Sequence, residues 1–366
     1  MRRTVRSALL ILPLLLVGLA GCDMVVLSPS GHVAMQQRDL LIASVLLMLI
    51  IVIPVMGLTA YFAWRYSEKR RARYDPDWHH SAGLELVIWA APLMIIICLG
   101  AITWTGTHLL DPFRPLDEIG DRRAVPPNVQ PLDVQVVALD WKWLFIYPQY
   151  GVAVVNDAAA PVDRPIRFHL TAQSVMNAFY VPALSGMIYA MPGMTSQLNA
   201  VMNVPGSYEG FSSNYSGAGF SKMRFQFHGL SQADFDVWIA KVRLGDGGVL
   251  DRARYLDLAQ PSEGVAPMGF EDVDPDLFRR VVNRCVEDGR LCMDQMMALD
   301  EAGGTGFAGT LNTLPAAGRQ ASALGHQPFF VAEFCTPAES VAQYGADSVV
   351  LLDRLPRDGA ASDETL

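Results

Sequence analysis

The chain opens with three apolar runs that carry no charge, and only later settles into a two-residue alternation. The first run, Ala8 to Ala20, follows a basic start at Arg2, Arg3 and Arg6. It has the length of a secretory h-region and is too short to cross a bilayer, so the sequence predicts a signal peptide over 1–21 that is removed. The other two, Leu40 to Trp64 and Leu86 to Leu110, are 25 residues each. As helices they reach about 37 Å, more than the roughly 30 Å of hydrocarbon in a membrane. Pro54 and Pro92 lie inside them, which membrane helices tolerate. A transmembrane hairpin over 40–110 is therefore expected, with a connecting loop at 65–85.

From Leu132 to about Leu230 the period becomes two. Leu132, Val134, Val136 and Ala138 alternate with polar or small neighbours, as do Ile166, Phe168 and Leu170, then Leu198, Ala200 and Met202, then Met223, Phe225 and Phe227. Pro148, Asn156-Asp157, Met191-Pro192-Gly193 and Val204-Pro205-Gly206 punctuate them as turns. Short strands at this spacing predict an all-β sandwich or Greek-key barrel within 111–230. Ser231 then caps a helix with Asp234 at its third position, and Asp274-Pro275 starts a second, so 231–300 reads as a helical extension. Gly and Ala accumulate beyond residue 300, and 301–366 reads as a loosely ordered tail.

Composition agrees with a membrane chain: of 366 residues 51% are apolar and 18% charged, with a mean hydropathy of +0.23. The formal charge of −9 argues against nucleic acid as a partner. Five of the nine residues from Arg65 to Arg73 are basic, which places that loop in the cytoplasm and everything after residue 110 outside. The exported residues 111–366 hold 19 basic and 31 acidic side chains, a net of −12. Leu19-Ala20-Gly21-Cys22 resembles the lipobox of bacterial lipoproteins, implying acylation of Cys22 at the start of a lipidated segment over 22–39. An ordinary signal peptide with a chance cysteine is the alternative. Asp23 resembles the signal that retains such lipoproteins in the bacterial inner membrane.

Two membrane helices followed by an exported β-domain containing Trp141-Lys142-Trp143 resemble subunit II of the haem-copper respiratory oxidases, over residues 22 to about 285. The quinol-oxidising, cytochrome bo-type branch fits best. The resemblance implies a membrane-anchored fold: a two-helix hairpin, an all-β cupredoxin-like Greek-key barrel and a C-terminal helical extension. In the cytochrome c-oxidising branch the barrel binds dinuclear copper through two thiolates, two imidazoles, a thioether and a backbone carbonyl, ligands suited to soft copper. Here the first histidine position holds Asn177. In the loop Ser212 to Met223, the two cysteine positions hold Ser212 and Ser216, the acidic position Asn214 and the second histidine position Phe220; Met223 alone matches a ligand type. No thiolate or imidazole remains, and no two cysteines stand four apart elsewhere. An acidic domain is what would dock a basic cytochrome c, but ligands are obligatory and net charge is not.

The resemblance therefore implies a non-catalytic subunit of a proton-pumping ubiquinol:oxygen oxidoreductase, with no cofactor of its own and no cytochrome c partner. Haems, the oxygen-reducing copper and the quinol site would belong to subunit I, which this chain would stabilise beside smaller membrane subunits and membrane lipid. Family members carry a glutamate where Glu85 stands, at a proton-channel mouth; helix-dipole stabilisation is the plainer role. The family's tryptophan relay corresponds to Trp141, which without copper reads as core packing. Met187, Met191 and Met194, with Met293, Met296 and Met297, read as packing. Cys285 and Cys292 can pair only if Asp288-Gly289 turns the chain, because seven helical residues would hold them roughly 10 Å apart; pairing with Cys335 stays open. A stand-alone lipoprotein with a cupredoxin-like fold, acting as a binding or assembly factor, is the rival reading, although it needs no helical hairpin.

Overall fold

The computed structural model describes residues 24–67, 70 and 80–301. The signal run, Cys22, most of the basic loop, Cys335 and residues 302–366 lie outside the described residues.

Two long helices come first, α1 (His32–Arg65) and α2 (Ala82–Leu109), both long and apolar enough to cross a membrane. Each extends past the uncharged run that predicts it. Helical hydrogen bonding does not stop at the first charge, and on α1 the charged pair Arg38 and Asp39 neutralises itself at 2.7 Å. The helices cross closely at Gly106, where a Cβ would stand 2.9 Å from Leu40 Cδ1. Among the described residues their outer sides stand open: Leu86 is 70% and Trp89 78% exposed. Surface of this kind needs lipid or another protein against it.

Residues 118–230 form twelve strands: β1 (Glu118–Gly120), β2 (Arg123–Ala124), β3 (Leu132–Leu139), β4 (Lys142–Tyr147), β5 (Val152–Val155), β6 (Asp157–Pro161), β7 (Pro165–Ala172), β8 (Asn177–Tyr180), β9 (Ile188–Ala190), β10 (Ser196–Val201), β11 (Gly206–Ser212) and β12 (Arg224–Leu230). After them come α3 (Gln232–Arg243), β13 (Val249–Leu250), α4 (Arg252–Leu258), β14 (Met268–Phe270) and β15 (Asp272–Val273). One sheet has the order β10-β7-β3-β4-β5-β14 and faces a second of order β6-β12-β11-β8-β9. Parallel pairings of β3 with β7 and of β6 with β12 give the crossed connections of the cupredoxin-like barrel that the resemblance implies.

Between the sheets lies a slab of rings. Phe179 of β8 stacks on Phe225 of β12 with centroids 5.4 Å apart and planes 14° from parallel, and Trp143 meets Phe179 edge-on at 5.4 Å. Gly210 makes room for this slab, since a Cβ there would meet the Phe225 ring at 2.1 Å. Tyr147 ties the sheets together: its buried hydroxyl donates to the Ala159 carbonyl and accepts from the Ala159 N–H, both at 3.0 Å.

The segment after residue 230 is not only helical. Phe235, Ile239 and Val242 of α3 enter the barrel core, β14 extends the larger sheet beside β5, and the segment around 260–265 covers the outer side of β4. Lys142 Nζ donates to Gln260 O at 2.7 Å and to Ser262 Oγ at 2.5 Å, and Asn156 Nδ2 donates to Val265 O at 2.8 Å. That second cover explains why β4 is buried at all six positions and shows no alternation. It also lowers the Lys142 pKa, chiefly by desolvation.

A second compact unit begins at Asp276. It contains α5 (Leu277–Val282) and α6 (Met293–Glu301), and between them Cys285 and Cys292 are joined as a disulfide with Cα atoms 4.8 Å apart. The chain turns at Gly289, at φ +78°, a conformation glycine adopts without a Cβ clash.

Burial holds the Tyr147 phenol well above its ordinary pKa of 10.0. The unfolded phenol ionises first, so stability falls as pH rises past that value. Tyr147→Phe is expected to cost about 1–3 kcal/mol near neutral pH, because Ala159 loses both partners, and to flatten this alkaline decline. Denaturant unfolding of the full chain in detergent, followed by tryptophan fluorescence across pH, measures both.

Candidate functional site

The positions that would ligate copper converge at one end of the barrel. Asn177 opens β8 and Ser212 closes β11, strands that pair with Ser212 opposite Phe179. Both side chains are buried. Ser212 Oγ lies 3.1 Å from Asn177 Oδ1 and 3.2 Å from the Asn214 carbonyl, so its single hydrogen serves one acceptor at a time; its lone pairs face the Ala178 N–H at 3.4 Å. Asn177 Nδ2 donates to Val175 O, and Asn214 Nδ2 to Met176 O, each at 3.2 Å. Ser216 Oγ points at Met223 Sδ over 4.0 Å. The Ser212 N–H bonds the Met223 carbonyl at 3.2 Å and so joins the two halves of the cluster. Phe220 turns away to pack on Tyr215, with ring centroids 5.6 Å apart.

Trp141 secures this loop from below. It sits at φ +64°, unusual for a bulky residue, in the turn between β3 and β4. Its Nε1 donates to Ser216 O at 3.1 Å. Gly217 and Gly219 admit the indole: a Cβ on Gly219 would stand 2.4 Å from Trp141 Cδ2. The sequence reading of Trp141 as packing thus omits its hydrogen bond to the loop, which no local pattern announces because Ser216 is 75 residues away.

The donor set does not fit dinuclear copper. Two hydroxyls, two amides and a phenyl ring offer neither a bridging thiolate nor an imidazole, and serine hydroxyls ionise far too high to substitute. The Ser212 hydroxyl, the Asn177 amide and the Asn214 Nδ2 group are instead hydrogen-bonded to protein. Among the described residues, no group of three or more His, Cys, Asp or Glu side chains is placed to hold a metal.

Other expected site residues lie apart from this cluster. Glu85 stands in the first turn of α2, with Oε1 2.6 Å from His80 Nδ1 and both side chains more than half exposed. The contact spans five residues around the helix start, outside the i,i+3 and i,i+4 spacings that flag a pair in a sequence. Cys285 and Cys292 belong to the second unit, and Cys22 falls outside the described residues.

Residues 150–229 match the family "Cytochrome C oxidase subunit II, periplasmic domain", and residues 246–289 match "COX Aromatic Rich Motif". The cytochrome bo(3) ubiquinol oxidase subunit 2 of Pseudomonas aeruginosa is 46% identical over 278 residues, 76% of this chain and 80% of that protein. The ubiquinol oxidase subunit 2 of Acetobacter aceti is 45% identical over 72% of this chain and 83% of its own length. A third relative, the cytochrome bo(3) ubiquinol oxidase subunit 2 of Buchnera aphidicola, is 39% identical over 75% of this chain and 92% of its own.

Ser212→Ala is expected to lower stability by about 1–3 kcal/mol, because Asn177 Oδ1 and the Ala178 N–H lose a partner in a buried place; denaturant unfolding measures it. The fivefold variant Asn177→His, Ser212→Cys, Asn214→Glu, Ser216→Cys, Phe220→His restores the missing donors and is expected to bind copper with visible absorption. A well-folded variant that stays colourless with copper would show that these positions do not superpose on the copper ligands.

Proposed function

Since the chain belongs to the subunit 2 family of ubiquinol oxidases, we propose that it serves as the non-catalytic subunit II of a proton-translocating ubiquinol:oxygen oxidoreductase. The observation that carries this reading is the closed hydrogen-bonded cluster of Asn177, Ser212 and Asn214, where copper would have to sit. A water-soluble electron donor needs a relay outside the membrane, and no group of side chains suited to hold a metal stands among the described residues. A quinol dissolved in the bilayer needs no such relay, because it can deliver electrons to subunit I from within the membrane. On this reading the haems and the oxygen-reducing copper reside in subunit I, and cytochrome c is not a partner.

The chain contributes mechanical support. Its hairpin packs against subunit I in the bacterial inner membrane, its barrel caps that subunit on the periplasmic side, and acylated Cys22 adds a lipid anchor. Glu85, at the cytoplasmic start of α2 with His80 at 2.6 Å, takes up protons for subunit I. An exposed carboxylate at the edge of a span, already within hydrogen-bond reach of a second titratable group, is suited to exchange protons with water.

Purification of the tagged chain in mild detergent is expected to bring down a haem protein that consumes oxygen with ubiquinol and not with reduced cytochrome c. Recovery without haem, or brisk cytochrome c oxidation, refutes the assignment. Glu85→Gln in that complex is expected to slow quinol turnover about tenfold, less than the roughly hundredfold or more of a group that transfers a proton in the transition state, because water also reaches this exposed position, with assembly intact. Unchanged turnover leaves Glu85 with a helix-dipole role alone.

A further inference from the structure

Beneath the barrel, at the outer end of the hairpin, three cavities meet. A polar one of about 400 Å³ lies between the start of α1, the chain leaving α2, and the segments at 185–187 and 198–199. Two apolar grooves run from it toward the middle of the membrane helices. One, of about 560 Å³, passes Ala43 and Ala101; the other, of about 590 Å³, passes Ser44 and Thr103. The grooves lie on either side of the crossing of Leu40 and Gly106 and share those two residues, and Leu110 lines all three spaces. The helices pinch where glycine lets them touch, and small side chains just below leave both flanks hollow.

The polar cavity sits at the depth of lipid head groups. Leu110 ends the uncharged run of α2 and Asp111 follows it; on α1, Arg38 and Asp39 mark the same boundary. The cavity is lined by the carboxylates Asp111, Asp117 and Glu118 against one guanidinium, Arg114, which is bonded to Asp117. Gln36, Gln37 and Asn199 add amides that can serve as donor or acceptor. A head carrying both a phosphate and a protonated amine matches this set: Arg114 addresses the phosphate and the surplus carboxylates address the ammonium. A head with phosphate alone would meet a wall of net negative charge.

We propose that this chain binds one diacyl phospholipid with a primary-amine head, of the phosphatidylethanolamine type, from the outer leaflet. Its head fills the polar cavity and its two acyl chains straddle the Leu40–Gly106 crossing, one in each groove. One polar cavity opening onto two apolar grooves is the shape of a lipid with one head and two tails, and burial of the tails supplies the attraction. The lipid thereby fills the wedge between barrel and hairpin. The inference concerns this chain's own surfaces and stands whether or not the chain serves an oxidase.

Native mass spectrometry tests it on the full chain, with whatever assembles with it, after exchange in mild detergent against phosphatidylethanolamine or phosphatidylglycerol. One phosphatidylethanolamine per chain is expected, retained about tenfold better than phosphatidylglycerol. Asp111→Asn with Glu118→Gln is expected to abolish that preference. Ala43→Phe with Ser44→Phe, which fills both grooves, is expected to remove the lipid. Equal retention of the two lipids by the unaltered chain, or retention in the groove-filled variant, overturns the proposal. Should the groove-filled chain misfold by circular dichroism, the head-group pair decides alone. Cys22→Ala separates the other occupant: retention by the unaltered chain and the variant alike assigns the grooves to free phospholipid, whereas retention that appears only in the variant assigns them to the chain's own acyl anchor and overturns the proposal.

Discussion

The backbone clamp between the hairpin and the barrel is the contact on which the chain's arrangement at the membrane depends. Ser30 and Gly31, just ahead of α1, donate from their N–H groups to Ala183 O at 2.9 and 2.8 Å, Gly31 bridges to Met202, and Asn203 N–H returns a bond to Ser30 O at 3.0 Å. After α2, Pro112 O accepts from both the backbone and the side chain of Asn199 at 3.0 Å. Both ends of the hairpin are thus fastened at or beside the edge strand β10. Gly31 permits the first attachment, because a Cβ there would lie 2.4 Å from Leu184 O. Backbone bonds tolerate little sliding, so the barrel is held at a defined place relative to the hairpin.

The second constraint is the fastening of the β8 end to the loop before β12. In a copper-binding barrel the metal would tie the β8 end to the loop before β12. Here a serine hydroxyl between two asparagines, a tryptophan under two glycines and the stacked Phe179–Phe225 pair fasten the same elements. Hydrogen bonds of this kind contribute modestly one by one, but leaving a buried member unpaired is costly. The loop is therefore specific in shape, and its side chains present neither thiolate nor imidazole. The net charge of −12 on the exported residues, suggestive of a basic partner when taken alone, does not alter this, since charge steers association but cannot carry an electron.

How much of this was legible beforehand follows the range of the interactions. The two spans, the period-two strands and the substitutions at Asn177, Ser212, Asn214, Ser216 and Phe220 are local facts and could be read in order along the chain. The second cover over β4 could not: residues 260–265 lie more than a hundred positions from Asn156 and Lys142, and their polar composition gives no strand or helix signal. For the same reason a segment that reads as helical also supplies β14, since edge-strand pairing with β5 is settled by the partner and not by the three residues Met268–Phe270.

The sequence by itself determined that the chain has two spans long and apolar enough for a membrane, that a β-domain follows them, and that Asn177, Ser212, Asn214, Ser216 and Phe220 supply neither thiolate nor imidazole, because hydropathy, periodicity and ligand chemistry are properties of individual residues and their spacing. Only the tertiary structure decided that Asn177 and Asn214 close on Ser212, that Trp141 holds the loop, that Glu85 has His80 beside it, and that the hairpin and barrel leave a polar cavity above two apolar grooves. Those are distances between residues far apart in the chain or on neighbouring elements, and they exist only once the backbone bonds at Gly31 and Pro112 and the aromatic slab have fixed the elements against each other.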